Sequence, residues 1–324
     1  MPSKYEPFDR GRIRLLPLSR RRNLVDLSDV LDVGEAPLPF EHPSLPELAD
    51  AIAASARAKA AVIMMMGAHV IKQGLNRYVC DMARRGWVSL IAANGACMIH
   101  DYELALAGGT SESVSQNIRH GRFGLWEETG RINGVVKAGC MEDLGCGEAL
   151  GRHISGGDFP HKDLSIFAAA YEASVPATVH VGIGYDITHQ HPDFDGAAFG
   201  EASYRDFLVF ARQVEKLEGG VVMCFGSAVM GPEVYLKALS MARNVADAEG
   251  RRIERFTSAV FDLVPLSGDL TAEPPKDRPD YYYRPFKTML VRTVKDGGRS
   301  YYFRGDHRAT IPALHRLLAD RMGR

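Results

Sequence analysis

AAVIMMMGAHVIKQGLNRYVCDMARRGWVSLIAANGACMIHDYELALAGGTSE, residues 60–112, decides the fold. An apolar run, Ala60 to Met66, stops at Gly67. A helical pattern from Val70 to Arg85 follows, with Val70, Leu75, Val79 and Met82 near one face. A second apolar run, Trp87 to Ala93, stops at Asn94-Gly95. Two buried strands around one helix predict a right-handed β-α-β crossover in a parallel sheet. Such sheets hold ligands at the carboxyl ends of their strands. Gly67-Ala68-His69 and Asn94-Gly95-Ala96 stand at two of those ends, so the site is placed before any residue has a role.

Outward from this unit the alternation continues. On the amino side, residues 1–45 form an irregular, proline-rich arm with one short strand expected at Arg12 to Leu16. A helix from Leu45 to Ala58 carries Pro46 in its first turn, where the missing N–H is harmless. On the carboxyl side, Tyr102 to Ala107 is helical and Gly108-Gly109 ends it. Residues 110–160 are glycine-rich and give no clear period. Gly145, Gly147 and Gly151 have GxGxxxG spacing without a preceding apolar strand, and read as helix packing or a turn. Strands are expected at Ala177–Val181, Val221–Phe225, Ile253–Val260, Phe286–Val294 and Ser300–Phe303. Helices are expected at 164–172, 204–217, 233–249 and 312–322, and a loop at 267–279. The pattern predicts an α/β fold, a doubly wound, mostly parallel Rossmann-like sheet, with residues 46–324 as one domain behind the arm.

The chain's 324 residues, 46% hydrophobic and 24% charged, suit a globular protein. A net charge of −1 gives no basic field for nucleic acid or an anionic membrane. The basic cluster Arg10 to Arg22 reads as a solvated arm. Five cysteines without a CxxC motif predict a reduced, cytoplasmic compartment. No signal peptide and no membrane span is expected.

Near the C-terminus, Arg278-Pro279-Asp280 is followed by Lys287, seven residues after Asp280. This spacing, and the order of the segments over roughly residues 50–320, resembles the deoxyhypusine synthase family. The resemblance implies a homotetramer with NAD as cofactor and sites at dimer interfaces. It also implies transfer of an aminobutyl group from spermidine, carried as an imine on a lysine. Lys287 would be that catalytic residue. An imine-forming amine must be partly neutral, which burial among Phe286, Met289 and Leu290 would favour. NAD would touch Ala68, His69, Lys72, Ala93, Asn94, Gly95, His180, Gly226, Ser258, Ala259 and Asp306. The sequence departs from the family where adjacent glutamates grip the polyamine, here Ile99-His100. An aspartate is replaced at His180, the segment at Gly231-Pro232-Glu233 is rewritten, and a Glu and a Trp become Tyr281 and Pro285. Substrate contacts therefore fall to His100, Asp186, Tyr281 and Tyr283. On this resemblance the acceptor would be a protein lysine or a free polyamine.

Two other readings stand beside this one. His69, His100 and His180, with Asp101 and Asp186, could hold a metal if they converge. A non-catalytic NAD-binding scaffold would also keep the cofactor loops and lose the substrate grip. His189 and His191 lie beside Pro192 and read as solvent-facing. Cys97, Cys140 and Cys146 read first as small packing residues. The acid pairs Glu127-Glu128 and Glu142-Asp143 read as solvated faces.

Overall fold

The computed structural model describes residues 3–323. Six strands form one sheet: β1 Val62–Met66, β2 Leu90–Asn94, β3 Ala177–His180, β4 Val221–Phe225, β5 Thr257–Asp262 and β6 Arg299–Arg304. They are all parallel, in the order β3-β2-β1-β4-β5-β6. Met64 of β1 pairs with Ile91 of β2 on one side and with Met223 of β4 on the other.

The apolar runs form strands because both faces are covered. Val62, Met64, Met66, Ile91 and Ala93 enter one core, and Ile63, Met65, Leu90, Ala92 and Val222 enter the other. The helices are α1 Leu45–Arg57, α2 His69–Lys72, α3 Asn76–Arg84, α4 Gly95–Ala107, α5 Val114–Ile118, α6 Glu127–Met141, α7 Cys146–Gly156, α8 Ile166–Glu172, α9 Gly196–Val214, α10 Met230–Ala248 and α11 His307–Met322. Residues of α1, α3, α4, α8 and α11 pack in the first core, and α10 packs in the second. Helix α9 reaches both, with Phe199 in one core and Phe210 in the other. It wraps the open edge of β3, where Asp206 Oδ2 accepts from Val179 N at 2.8 Å and Ser203 Oγ accepts from Val181 N at 3.1 Å.

Several expected elements differ. The helix foreseen from Val70 to Arg85 is two helices. Gly74, at φ +73°, turns the chain between them, because the arm crosses there and any Cβ would collide with Asp29 O. Leu31 N donates to Gly74 O at 2.9 Å. No strand forms at Phe286–Val294; Phe286–Arg292 is a π-helix. β5 and β6 are parallel, so the chain must return between them, and a strand there would have run the wrong way. β5 begins at Thr257 rather than Ile253, because the Glu254 and Arg255 amides donate to Glu218 Oε2 instead of to a strand. Where a strand was expected at Arg12 to Leu16, the arm has a 3₁₀ turn at Arg10–Arg12 and a single bridge from Leu16 to Trp126, and its short strand lies instead at Val25–Asp26, antiparallel to Gly109–Thr110. Residues 110–160 hold α5, α6 and α7. The three spaced glycines are packing positions: a Cβ would meet Asp206 at Gly145, Ala177 O at Gly147, and Phe167 O, at 2.5 Å, at Gly151.

Candidate functional site

With all six strands of this sheet parallel, the loops Gly67–His69, Asn94–Ala96, Gly182–Asp186 and Gly226–Ser227 all lie at its carboxyl edge. The connections leave in opposite directions between β1 and β4, which opens a crevice at that edge. There the two loops touch. A Cβ on Gly67 would stand 2.5 Å from Gly226 O, so only glycine admits this approach. His307, the first residue of α11, closes the crevice from β6. Its ring lies 6.1 Å from that of His69 and 6.0 Å from Phe225, and its Nδ1 is buried without a partner. Burial, with His69 beside it, pushes its pKa down to about 4, so it is neutral.

Two hollows flank Lys72, the last residue of α2. One, of about 420 Å³, is lined by Lys72, Gln73, Asp306 and Arg308, with Asp29, Pro37 and Leu38 from the arm. Asp306 caps α11 by accepting from Arg308 N at 2.8 Å, and accepts from Gln73 Nε2 at 3.0 Å. Gln73 Oε1 and Arg308 Nε are buried with no protein partner. Buried polar atoms rarely stay unpaired, so these walls suit a polar ligand.

The second hollow, of about 220 Å³, lies beside the N-terminus of α4; Lys72, Ala96, His100, Tyr185 and Asp186 are among its walls. Asn94 caps α4 by accepting from Cys97 N at 3.1 Å. Asp186 packs directly on Gly95, where a Cβ would collide with its carboxylate. Asp186 Oδ2 is buried without a hydrogen bond, and desolvation pushes its pKa up to about 7. Beneath the hollow runs a bonded chain. His100 Nδ1 lies 2.7 Å from Thr110 Oγ1, which donates to Glu103 Oε2 at 2.6 Å. Arg21 grips Glu103 with two bonds, 2.7 and 2.8 Å, and both side chains are 1% exposed. Burial raises the Glu103 carboxyl, but the Arg21 bond and charge, with Thr110 and Thr129, outweigh it and hold the pKa below its usual value. Burial pushes His100 down to about 4.

The edge thus gathers Ala68, His69, Lys72, Asn94, Gly95, His100, Asp186, Gly226 and Asp306. Other expected residues lie elsewhere. Ala93 is buried within β2, and Ser258 and Ala259 are fully buried in the first half of β5. His180 turns into the α9 core. Its Nε2 is 3.0 Å from Thr178 Oγ1 and its ring stands edge-on to Phe210, while burial pushes its pKa down to about 3. His69, His100 and His180 therefore do not converge. Among the described residues no group of three His, Cys, Asp or Glu side chains could hold a metal. Lys287 sits in the π-helix, 7% exposed, its ammonium 3.7 Å from the centre of the Tyr281 ring. It lines neither hollow. Tyr283 donates to Asp262 Oδ2 at 2.6 Å, at the carboxyl end of β5. Cys97 donates to Met66 O at 3.6 Å, and burial pushes its thiol up, as for a packing residue.

Sequence reasoning missed Arg21, Gln73 and His189. Arg21 was hidden in a basic cluster. Gln73 lay inside an expected helix. His189 is not solvent-facing: its side chain is 4% exposed, and His191 is fully buried, with Nε2 2.8 Å from Gly124 O.

No protein-family model matches the chain, and no curated protein matches it by sequence. Among solved structures, unliganded AgrE is similar with a TM-score of 0.51 at 13% identity, over 88% of this chain and 34% of AgrE. The complex of AgrE with ornithine and NAD+ gives 0.47 at 14%, over 86% and 32%. A provisionally assigned deoxyhypusine synthase from Entamoeba histolytica gives 0.45 at 9%, over 85% and 86%. The chain spans about a third of the length of AgrE. The likeness to unliganded AgrE is one of fold alone. No helix among the described residues is long and apolar enough to cross a membrane.

Proposed function

We propose that this chain is an NAD-dependent enzyme that moves an aminoalkyl group from a polyamine such as spermidine to an amine acceptor. The observation that carries the reading is the pair of hollows meeting at Lys72, on the carboxyl edge, with unpartnered buried polar atoms in both. Their size suits a ligand laid across both. Lys72, Gln73, Asp306 and Arg308 would hold the dinucleotide, with Lys72 as the cation for its phosphates. Small residues at Gly67, Ala68, Gly95 and Gly226 keep the approach to the backbone open. The AgrE complex with NAD+ and the sequence resemblance to deoxyhypusine synthase support the choice of cofactor.

When bound, NAD would supply the hydride acceptor that turns the substrate amine into an imine, and its reduced form the hydride donor that turns the product imine back into an amine. The chain's own residues do the rest. Asp186 holds the cationic amine and takes a proton from it, so that the nitrogen has a free electron pair. The Lys287 amine then attacks the imine carbon, and the bond from that carbon to the leaving diamine breaks. Attack by the acceptor amine releases Lys287 in the same way. In this reading the closed site would keep water from the imine. Since Lys287 lines neither hollow of its own chain, in this reading it serves a site completed by a second copy, as the family resemblance implies. The protein is incubated with NAD and spermidine, reduced with borohydride and mapped by peptide mass. An adduct at Lys287, absent in Lys287→Ala, is expected. NAD binding without any adduct, for every amine tried, would leave the non-catalytic scaffold.

A further inference from the structure

Asp186 and His189 face each other as two buried atoms that lack partners. Asp186 Oδ2 and His189 Nε2 are 3.8 Å apart, both side chains are 4% exposed, and neither atom has a hydrogen bond. The other nitrogen of His189 is fully engaged. Nδ1 accepts from Gly184 N at 3.1 Å and from Asp186 N at 3.3 Å. A nitrogen that accepts from two amides carries no proton, so the ring proton is on Nε2 and points toward the carboxylate. The ring is wedged by Phe194, at 4.5 Å between centroids, and by Phe199, at 5.7 Å. It cannot rotate its donor away without losing both amide bonds.

The gap is about an ångström longer than an N–H···O bond. A protonated, neutral carboxyl has little to draw the donor across it, whereas a carboxylate does. We propose that His189 is a positioning residue, locked as an Nε2–H donor, that closes on Asp186 when the carboxyl gives up its proton and so sets the charge with which this hollow meets an amine. The inference rests on the reading of the hollow as an amine site. His189 itself does not take up the proton: that would place it on Nδ1, against two amide donors. Burial pushes its pKa down, in keeping with a neutral ring. The other groups around the carboxylate are Tyr185 on its own loop, Cys97 and His100 on α4, and Lys72 on α2, with Glu112 and the Arg21–Glu103 pair beyond. Lys72 is the only side chain among them whose full positive charge is not held by a carboxylate here.

Two measurements test this. Nitrogen-15 NMR of labelled histidine at pH 7 should show His189 with a bare Nδ1 and a protonated Nε2. A protonated Nδ1 would overturn the proposal whatever the protein's activity. Calorimetry with 1,4-diaminobutane, in buffers of different ionisation enthalpy, then counts the protons released on binding. The wild type should release a fraction of a proton near pH 7, and Asp186→Asn none. His189→Ala should release more, and bind about tenfold more weakly at pH 7, because Asp186 stays protonated to higher pH. His189→Gln, whose amide restores a donor, should return both values toward the wild type. Equal proton release and affinity in wild type and His189→Ala would sink the role of His189. If the diamine fails to bind while NAD binds, the amine reading of the hollow falls, and the inference with it. Diamine binding without NAD binding would instead defeat the cofactor reading and leave this inference standing.

Discussion

Replacing Arg21 by alanine should destabilise the protein by about 3–5 kcal/mol, the usual cost of stranding one member of a buried ion pair. The structure places this case toward the upper part of that range. Both Arg21 and Glu103 are 1% exposed, so water cannot replace the lost guanidinium. Glu103 would keep only the Thr110 and Thr129 hydroxyls, both at 2.6 Å, against two bonds lost to Arg21 at 2.7 and 2.8 Å. Packing is lost too, because the guanidinium lies 5.8 Å from the Trp126 ring centre. The pH dependence identifies the cause. In the wild type the Glu103 pKa is held below its usual value, so its stabilisation is present above the unfolded pKa and lost as pH falls through the folded one. Without Arg21, desolvation outweighs the two remaining threonine hydrogen bonds and the folded pKa rises above the unfolded value. The variant then suffers most at neutral pH and recovers as Glu103 protonates. Urea unfolding of wild type and Arg21→Ala at pH 7 and pH 5 measures both effects. The double variant Arg21→Met with Glu103→Leu should recover most of the loss. A penalty below about 1 kcal/mol, or one independent of pH, would show that the pair is not the buried carboxylate clamp argued above.

Gly95→Ala should drive the Asp186 carboxylate out of its place on α4, and isothermal titration should show diamine affinity falling at least tenfold while the fold, by circular dichroism, persists. Asp306→Ala should weaken NAD binding about tenfold in calorimetry, the worth of a charge-assisted hydrogen bond; unchanged affinity would remove Asp306 from the cofactor site. Burial pushes Asp206 up to about 7, above its unfolded value of 3.8, so the folded state binds the extra proton and stability falls as pH rises between those values. Asp206→Asn should therefore gain on the wild type by at least about 1 kcal/mol between pH 5 and pH 8, as read from urea midpoints. Sedimentation at micromolar concentration should show a closed symmetric oligomer, and a monomer would contradict a site shared between copies.

Elements buried on both faces were the legible ones. β1, β2 and β4 are unbroken apolar runs because each face meets its own core, and their small-residue ends marked the edge where ligands bind. The segment FKTMLVR misled, since five of its seven positions are apolar or β-branched and suit a strand locally. Only the parallel pairing of its neighbours forces it to be a returning helix. Helices α6 and α7 were illegible because glycines stand where an apolar stripe would show them; there the backbone, not a side chain, makes the contact. In the candidate site, Lys72 and Asp306 were named from the family resemblance and Asp186 from its place after a strand, and all three line the hollows at the carboxyl edge. His189 and Arg21 were not, for opposite reasons. His189 looked like a loop residue, and its burial depends on Phe194 and Phe199 closing over it. Arg21 looked like one basic residue among several, and its partner lies 82 residues away.

The side chains of α9 that cap β3 also constrain how copies of this chain can join. Asp206 and Ser203 occupy the hydrogen-bonding groups a neighbouring strand would need, so the sheet is sealed at that end. At the other end, β6 has no further strand beside it among the described residues, and arginines stand at both its termini. A ribbon with one sealed and one open margin can dock margin to margin once, about a two-fold axis. It then has nothing left to offer a third copy, so sheet-to-sheet growth stops at two and fibres cannot propagate by that route.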